Sequence, residues 1–335
     1  MGSYQTSPDL YRTIREGAVT GALNPRAQIA VAGKDRASYL QGLLTNDIQA
    51  LAAGTGCYSA WLTPQGRMLT DMHVFEAGDM ILLDVPADQL PATLQRLDQF
   101  LFGEDVQLAD LAGSLRGVWV HGPAASAIVE RVVTGVSAVA DWPDYRNVRA
   151  EFNAVPAVVA RVDQLGVPGV CVYVAPAQEA GLLAALHAAG AAPADAASLE
   201  AARIEAGYPL FGVDMNEDTI PLEAGIELRA ISFTKGCYVG QEVIIRVLHR
   251  GHGRVAKKLV ALRVEGAAPA HGAKLFAGER EVGIVTSAAG SPRHGVIGLG
   301  YLHRDFVAPG TAVEVETDGT RAAATVTGLP ILSAA

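Results

Sequence analysis

An α+β protein closed by a small all-β domain is what this sequence predicts, on three observations. In the first two thirds, strands return as hairpins before a helix follows, instead of alternating strictly with helices. After Gly253 the helical patterns stop, and short β-rich runs follow at near-regular spacing between Gly and Pro turns. The composition is that of a globular chain: half of the 335 residues are hydrophobic and 18% charged, with 36 Gly and 17 Pro for turns. That length suits two or three domains, and a boundary is expected at 253, giving 1–253 and 254–335.

The elements follow in order. Asp35 is placed to cap a helix over 36–44, where Ala37, Leu40, Leu43 and Leu44 recur at helical spacing. A strand over 55–62, a Pro64-Gln65-Gly66 turn and a returning strand over 68–75 make a hairpin. Strict alternation in the return puts Leu69, Asp71, His73 and Phe75 on one face and Met68, Thr70, Met72 and Val74 on the other. After Gly78-Asp79 come a strand over 80–85 and a helix over 91–102 that opens on Pro. The middle of the chain is built alike, with a strand over 117–120, a helix over 123–133, and strands within 152–162 and 169–174. Two alanine-rich helices follow, over 178–189 and 196–206, separated by Gly190 and Pro193. Beyond the boundary, strands are expected over 257–264, 274–276, 282–287, 296–301, 312–315 and 323–327, as a small barrel or sandwich.

The 26 basic and 35 acidic side chains leave a formal charge of −9, which argues against nucleic-acid binding by bulk charge. Three cysteines rule out a disulfide scaffold and fit a reducing, cytoplasmic setting. Without a CxxC pair they offer neither a zinc site nor a self-held iron–sulfur cluster, and no metal is expected. No apolar run approaches the length of a membrane span. The opening Met1-Gly-Ser-Tyr-Gln-Thr6 lacks the apolar core of a signal peptide. It does match the loose N-myristoylation pattern, which is short enough to arise by chance.

The most pointed chemistry lies in Phe233–Glu242, FTKGCYVGQE. Lys235 stands two residues from Cys237, and an ammonium nearby favours a thiolate. Gly236 and Gly240 would allow close backbone approach. Cys237 is therefore a candidate nucleophile or ligand contact, against the plainer reading of a small buried hydrophobe, which chemistry alone favours. Arg246, His249, Arg250, His252, Arg254, Lys257 and Lys258 form a basic cluster suited to a carboxylate or phosphate, or else a solvated linker. Asp71 and His73 share a strand face and could act as an acid–base pair, although a lone Asp on a strand is more often exposed. Glu200, Arg203 and Glu205 read most simply as surface pairing along a helix. No Gly-rich phosphate loop is present.

The segment Lys235–Glu242 (KGCYVGQE) resembles the YgfZ family, folate-binding relatives of the glycine-cleavage T-protein linked to iron–sulfur cluster assembly or repair and to tRNA modification. Residues 34–47 (KDRASYLQGLLTND), 58–71 and 203–223 (RIEAGYPLFGVDMNEDTIPLE) resemble that family too, as does the β-rich tail, so the likeness spans nearly the whole chain. It implies a T-protein-like fold: two interleaved α+β domains around a central cavity, with a C-terminal β-barrel. It also implies a reduced folate, tetrahydrofolate or a derivative, as ligand. Asp71 then matches the aspartate that serves folate chemistry and Tyr58 a folate-contacting aromatic. Arg203 joins the folate contacts at the head of its matched stretch, while Arg246 and Arg250 are placed to meet the glutamate tail. Cys237 and Lys235 would sit at the ligand mouth.

Two departures separate the chain from the aminomethyltransferases. The glutamate of their mid-fold Gly-Tyr-Thr-Gly-Glu stretch has no acidic counterpart in residues 164–169, QLGVPG, and KGCY belongs to the YgfZ branch. The function expected from the resemblance is thus a folate-binding accessory protein, without turnover of its own, serving iron–sulfur client or assembly proteins. The alternative is a tetrahydrofolate-dependent aminomethyltransferase or demethylase. A third reading is a non-catalytic scaffold with a vestigial cavity.

Overall fold

The computed structural model describes residues 6–249, 254–317 and 319–331. The N-terminal myristoylation pattern, Arg250 and the expected boundary at Gly253 lie outside these.

Two α+β domains are threaded through each other. The helix Pro8–Glu16, with Pro at its first turn, leads into the two-residue strand Val19–Thr20. That strand belongs to a sheet the chain resumes only at Arg116–His121, with which it pairs. Between the two, the chain builds a five-stranded antiparallel sheet in the order Gly56–Leu62, Met68–Glu76, Met80–Pro86, Arg26–Ala32, Gln107–Asp110. The second sheet runs Ala192–Pro193, Val19–Thr20, Arg116–His121, Gly169–Val174, Val155–Arg161, Asn147–Phe152. Residues 153 and 154, both at positive φ, make the tight turn that joins its last two strands.

The sheets pack face to face with helices outside. Along Gly169–Val174, Val170, Val172 and Val174 meet the helices Ala125–Val132 and Pro176–Ala188, while Cys171 and Tyr173 face the first sheet. Trp119 and Val120 split the same way. In the first sheet, Met72 and Val74 pack under the helices Arg36–Leu43 and Leu90–Gln99, and Tyr58 and Phe75 face inward. Strict alternation fails at one point. The register shifts between Trp61 and Leu62, which pair with Thr70 and Met68, so Leu69 is the extra residue of a bulge. Met68 therefore joins Phe75 in the inner layer and Leu69 joins the outer core, the reverse of the expected assignment. Asp35 precedes its helix as expected but does not cap it; its Oδ2 accepts from the Asp105 amide at 2.9 Å.

Residues 206–249 wrap the edge of this sandwich in short turns, Pro221–Ala224 and Glu227–Ala230, and the helix Gln241–His249. A closed six-stranded barrel follows, from Lys257–Val264 to Thr320–Thr327, and these two strands pair to close it. The helix Ala196–Ala206 packs on it through Ala201 and Ile204 against Leu259, Ala289 and Leu299.

Candidate functional site

The inner layer between the sheets is apolar at its ends and polar in the middle. Each polar side chain arrives from a different segment, so the cluster exists only in the folded chain. Arg26 and Gln28 come from the strand Arg26–Ala32, Tyr58 from Gly56–Leu62, Asp71 and His73 from Met68–Glu76, and Asp84 from Met80–Pro86. Tyr208 and Arg229 enter from the wrapping segment, and Tyr145 from the loop before Asn147–Phe152. Tyr145 holds φ +64, a strained backbone for an aromatic residue.

Asp84 anchors the ionic half. Its carboxylate accepts from Arg26 Nε at 2.5 Å, Gln28 Nε2 at 2.8 Å and His73 Nδ1 at 2.9 Å. Burial alone would raise its pKa, but Arg26, His73 and Gln28 outweigh that and hold it below the usual carboxylate range. For His73, burial and then Arg26 lower the pKa against the pull of Asp84, so the imidazole is neutral. A neutral ring that donates from Nδ1 to Asp84 must accept at Nε2, so the Tyr208 hydroxyl 3.2 Å away is the donor there.

Asp71 anchors the other half. Its Oδ2 accepts from the Tyr58 hydroxyl at 2.7 Å, and burial, followed by Asp71, raises that phenol. Its Oδ1 is buried with no hydrogen-bond partner, since Arg26 Nη1 is 4.0 Å off. The Arg229 guanidinium lies between two rings, 4.4 Å from the Tyr58 centroid and 4.1 Å from that of Tyr208. Its Nε and Nη2 are also buried and unpartnered. A buried carboxylate oxygen without a hydrogen-bond partner, beside two aromatic rings that already hold a flat group, is what the amino edge and the plane of a flat heterocycle would use. The residues present fit a reduced folate.

Asp71 and Tyr58, singled out in the sequence, therefore meet in one place, Asp71 being buried and not on the surface, and His73 lies in the same layer. Arg203 does not join them. It is fully buried, and five hydrogen bonds to Glu200, Tyr208 O, Asp214 and Ser287 use every N–H it has. With no donor left for a ligand, it ties its helix to the Asp214 loop and the barrel, which also corrects the reading of a surface pair. Glu205 is buried as well, bound to Tyr11, Arg15 and Ser291.

Lys235 is committed in the same manner. Its Nζ donates to the carbonyls of Gln41, Leu44 and Asn46 at 2.7, 2.6 and 2.8 Å, at the C-terminal end of the helix Arg36–Leu43. Burial lowers its pKa to about 8, against Asp47 and Cys57. All three donors being taken, none remains for the Cys237 thiol. Cys237 itself is exposed, not a core hydrophobe. Gly240, at φ +85, sets its backbone against Thr63 as expected, whereas Gly236 faces open space. Arg246 is exposed, and among the described residues its ion-pair partner is the Glu242 carboxylate.

Tyr208, Arg229, Tyr145 and the Arg26–Asp84 pair beside His73 were not foreseen as site residues. Tyr208 lies inside the matched stretch 203–223, but nothing in its spacing marks it. Arg229 sits in a four-residue turn with no periodicity to read. Among the described residues, no three His, Cys, Asp or Glu side chains are grouped to hold a metal, and no helix is long and apolar enough to cross a membrane.

Comparison with known proteins agrees with this architecture. The GCVT N-terminal domain model matches residues 9–235, and the glycine cleavage T-protein C-terminal barrel domain model matches residues 257–332. An aminomethyltransferase of Rubrobacter xylanophilus is 31% identical over 295 residues, covering 87% of this chain and 78% of that protein. One from a Geobacillus species is 28% identical over 328 residues, 96% of this chain and 88% of the relative. The crystal structure of the glycine cleavage system aminomethyltransferase T from Bartonella henselae superposes with a TM-score of 0.86 at 22% identity, over 98% of this chain and 91% of that one. At that identity the likeness is one of fold.

Proposed function

The chain belongs to the glycine cleavage T-protein family, and from that footing we propose that its inner layer binds a reduced folate and that the bound folate accepts a one-carbon unit, as in aminomethyl transfer. The observation that carries the reading is Asp71. Tyr58 fixes the carboxylate through one oxygen, and the other is left buried and unpartnered beside two aromatic rings. A buried lone pair of that kind carries a desolvation cost of about 1–3 kcal/mol until a donor meets it.

Tetrahydrofolate would supply the nitrogen that takes the one-carbon unit. The chain's own residues do the rest. Asp71 Oδ1 accepts an N–H of the ligand, and Tyr58 and Tyr208 flank its flat ring. Asp84, held ionised by Arg26, keeps His73 in the tautomer that accepts the Tyr208 proton, so the Tyr208 oxygen turns lone pairs toward the slot. Isothermal titration of 5-formyltetrahydrofolate tests this. Asp71→Asn is expected to weaken binding about 10- to 100-fold, the loss of one charge-assisted hydrogen bond. No heat from the native protein at millimolar ligand would remove the reading.

The relatives' names support aminomethyl transfer over the accessory role expected from the sequence. Two observations favour the accessory reading: Cys237 is exposed in its KGCY motif, and residues 164–169 supply no acid. Ammonia release from an aminomethyl-loaded lipoyl carrier decides between the two. Release on the order of 1 per second supports transfer. Release at the blank rate, with complementation of a deletion strain lost in Cys237→Ala, supports service to iron–sulfur proteins.

A further inference from the structure

We infer that Arg229 is the gatekeeper of the folate slot: its guanidinium occupies the place of the ligand's flat ring between Tyr58 and Tyr208, and it must leave before the ring can enter. The inference rests on the folate reading and adds the residue that sets the slot's affinity and entry rate.

Three features of the structure carry it. First, the guanidinium carbon stands over both rings, 4.4 Å from the Tyr58 centroid and 4.1 Å from that of Tyr208. Second, it is poorly satisfied there. Nε and Nη2 are buried without partners, and so is Asp71 Oδ1 in the same layer. A side chain serving only structure would be expected to spend those donors, as Arg203 spends all five of its own. Arg229 thus stands in for stacking while leaving hydrogen bonds unmade that a bound ring could make.

Third, its backbone is held while its side chain has a way out. Thr45 Oγ1 donates to the Ala230 carbonyl at 2.7 Å and Asn46 Nδ2 to that of Arg229 at 3.2 Å, pinning the turn Glu227–Ala230 to the first domain. Next to it Leu228 is 88% exposed, so the turn lies at the surface, and Arg229 itself is only half-buried. On this inference, rotation about the side-chain bonds takes the guanidinium out of the slot while the pinned backbone stays in place. A group that needs no covalent partner and makes no hydrogen bond from two of its nitrogens is suited to leaving and returning. Any ligand binds only the fraction of molecules in which it has left.

The test uses 6-methyltetrahydropterin, which lacks the glutamate tail that a displaced arginine could otherwise meet, alongside 5-formyltetrahydrofolate. In isothermal titration Arg229→Ala is expected to bind both at least tenfold more tightly than the native protein, a gain of about 1.4 kcal/mol at 25 °C. Arg229→Gln, which keeps a polar side chain but no planar cation, should fall between and covers the case in which the alanine variant fails to fold. In stopped-flow mixing, the native observed rate should level off with ligand concentration, while that of Arg229→Ala rises linearly. Equal or weaker binding by both variants, with unchanged kinetics, would overturn the gate and leave the folate reading standing. If neither native protein nor variants bind either probe, the folate reading fails and the gate with it.

Discussion

Lys235 and Cys237 stand two residues apart and live in opposite surroundings. The ammonium is buried on three carbonyls, whereas the thiol is exposed. Lys235→Met should therefore act on folding. It removes a charged donor and leaves three carbonyls at a helix end to find water, at a cost of about 2–3 kcal/mol in urea denaturation. Cys237→Ala should stay within about 0.5 kcal/mol of the native protein. Iodoacetamide should label Cys237 first. Burial pushes the Cys57 thiol up to about 12 and the Cys171 thiol well above its usual value, so neither offers thiolate at neutral pH. Equal labelling of all three, or a Lys235→Met protein as stable as the native one, would mean that the loop is not seated on the helix end. In that case Lys235 would be free to serve the thiol after all.

The loop is seated by an element contact as well. A Cβ at residue 240 would stand 2.5 Å from the Thr63 carbonyl and 3.0 Å from Leu62, on a backbone at φ +85. Gly240→Ala is accordingly expected to cost about 2 kcal/mol or more and to lower the melting temperature, where Gly236→Ala, facing open space, costs little. Such contacts between turns are not written in any period, and the same limit governs what the sequence disclosed of the fold. Lys257–Val264 and Gly169–Val174 lie where the strand patterns put them, because one face of each meets apolar core throughout. Arg26–Ala32 went unread although it lies inside its sheet: it is short, three of its seven residues are alanine, and Arg26 and Gln28 turn inward to the polar layer, so no run of large β-forming residues marks it. The interleaving was legible only through family resemblance, since Val19–Thr20 finds its partners at 116–121 and 192–193. Of the site, Tyr58 came from that resemblance, and Asp71 both from it and from the strand face it shares with His73. Of the residues that complete it, Tyr145, Tyr208 and Arg229 arrive on loops and a short turn, and Arg26 and Asp84 on strands brought together only by the tertiary fold.

At the scale of the molecule, two buried polar arrangements join the parts. Arg203 links the helix Ala196–Ala206 to the barrel through Ser287 and to Asp214, which is itself hydrogen-bonded by Thr286 and Ser287. Arg203→Met strands the Asp214 carboxylate and should cost about 3–5 kcal/mol, lost in one step if body and barrel unfold together. A separate barrel transition at native stability would show that the joint does not couple them.

The other arrangement sets how the whole fold answers to acid. His73 and His121 are both buried and neutral, and burial lowers His121 to about 4. A histidine whose folded pKa lies below its unfolded value binds its proton first in the unfolded chain, so the protein loses stability as pH falls through about 6.5. For His121 the loss continues to about pH 4 and amounts to about 3 kcal/mol. Asp84, held low by Arg26 and His73, contributes stability that is lost only below the ordinary aspartate range, so its effect falls in a separate, more acidic window. Urea midpoints measured from about pH 7.5 to about 4.5 should fall steadily. His121→Gln keeps an N–H for the Gly21 carbonyl, which His121 Nε2 meets at 3.1 Å, and carries no titrating group. Its curve should be flatter over the same range, with His73 accounting for the slope that remains. Parallel curves for the two proteins would mean that His121 does not set the acid sensitivity.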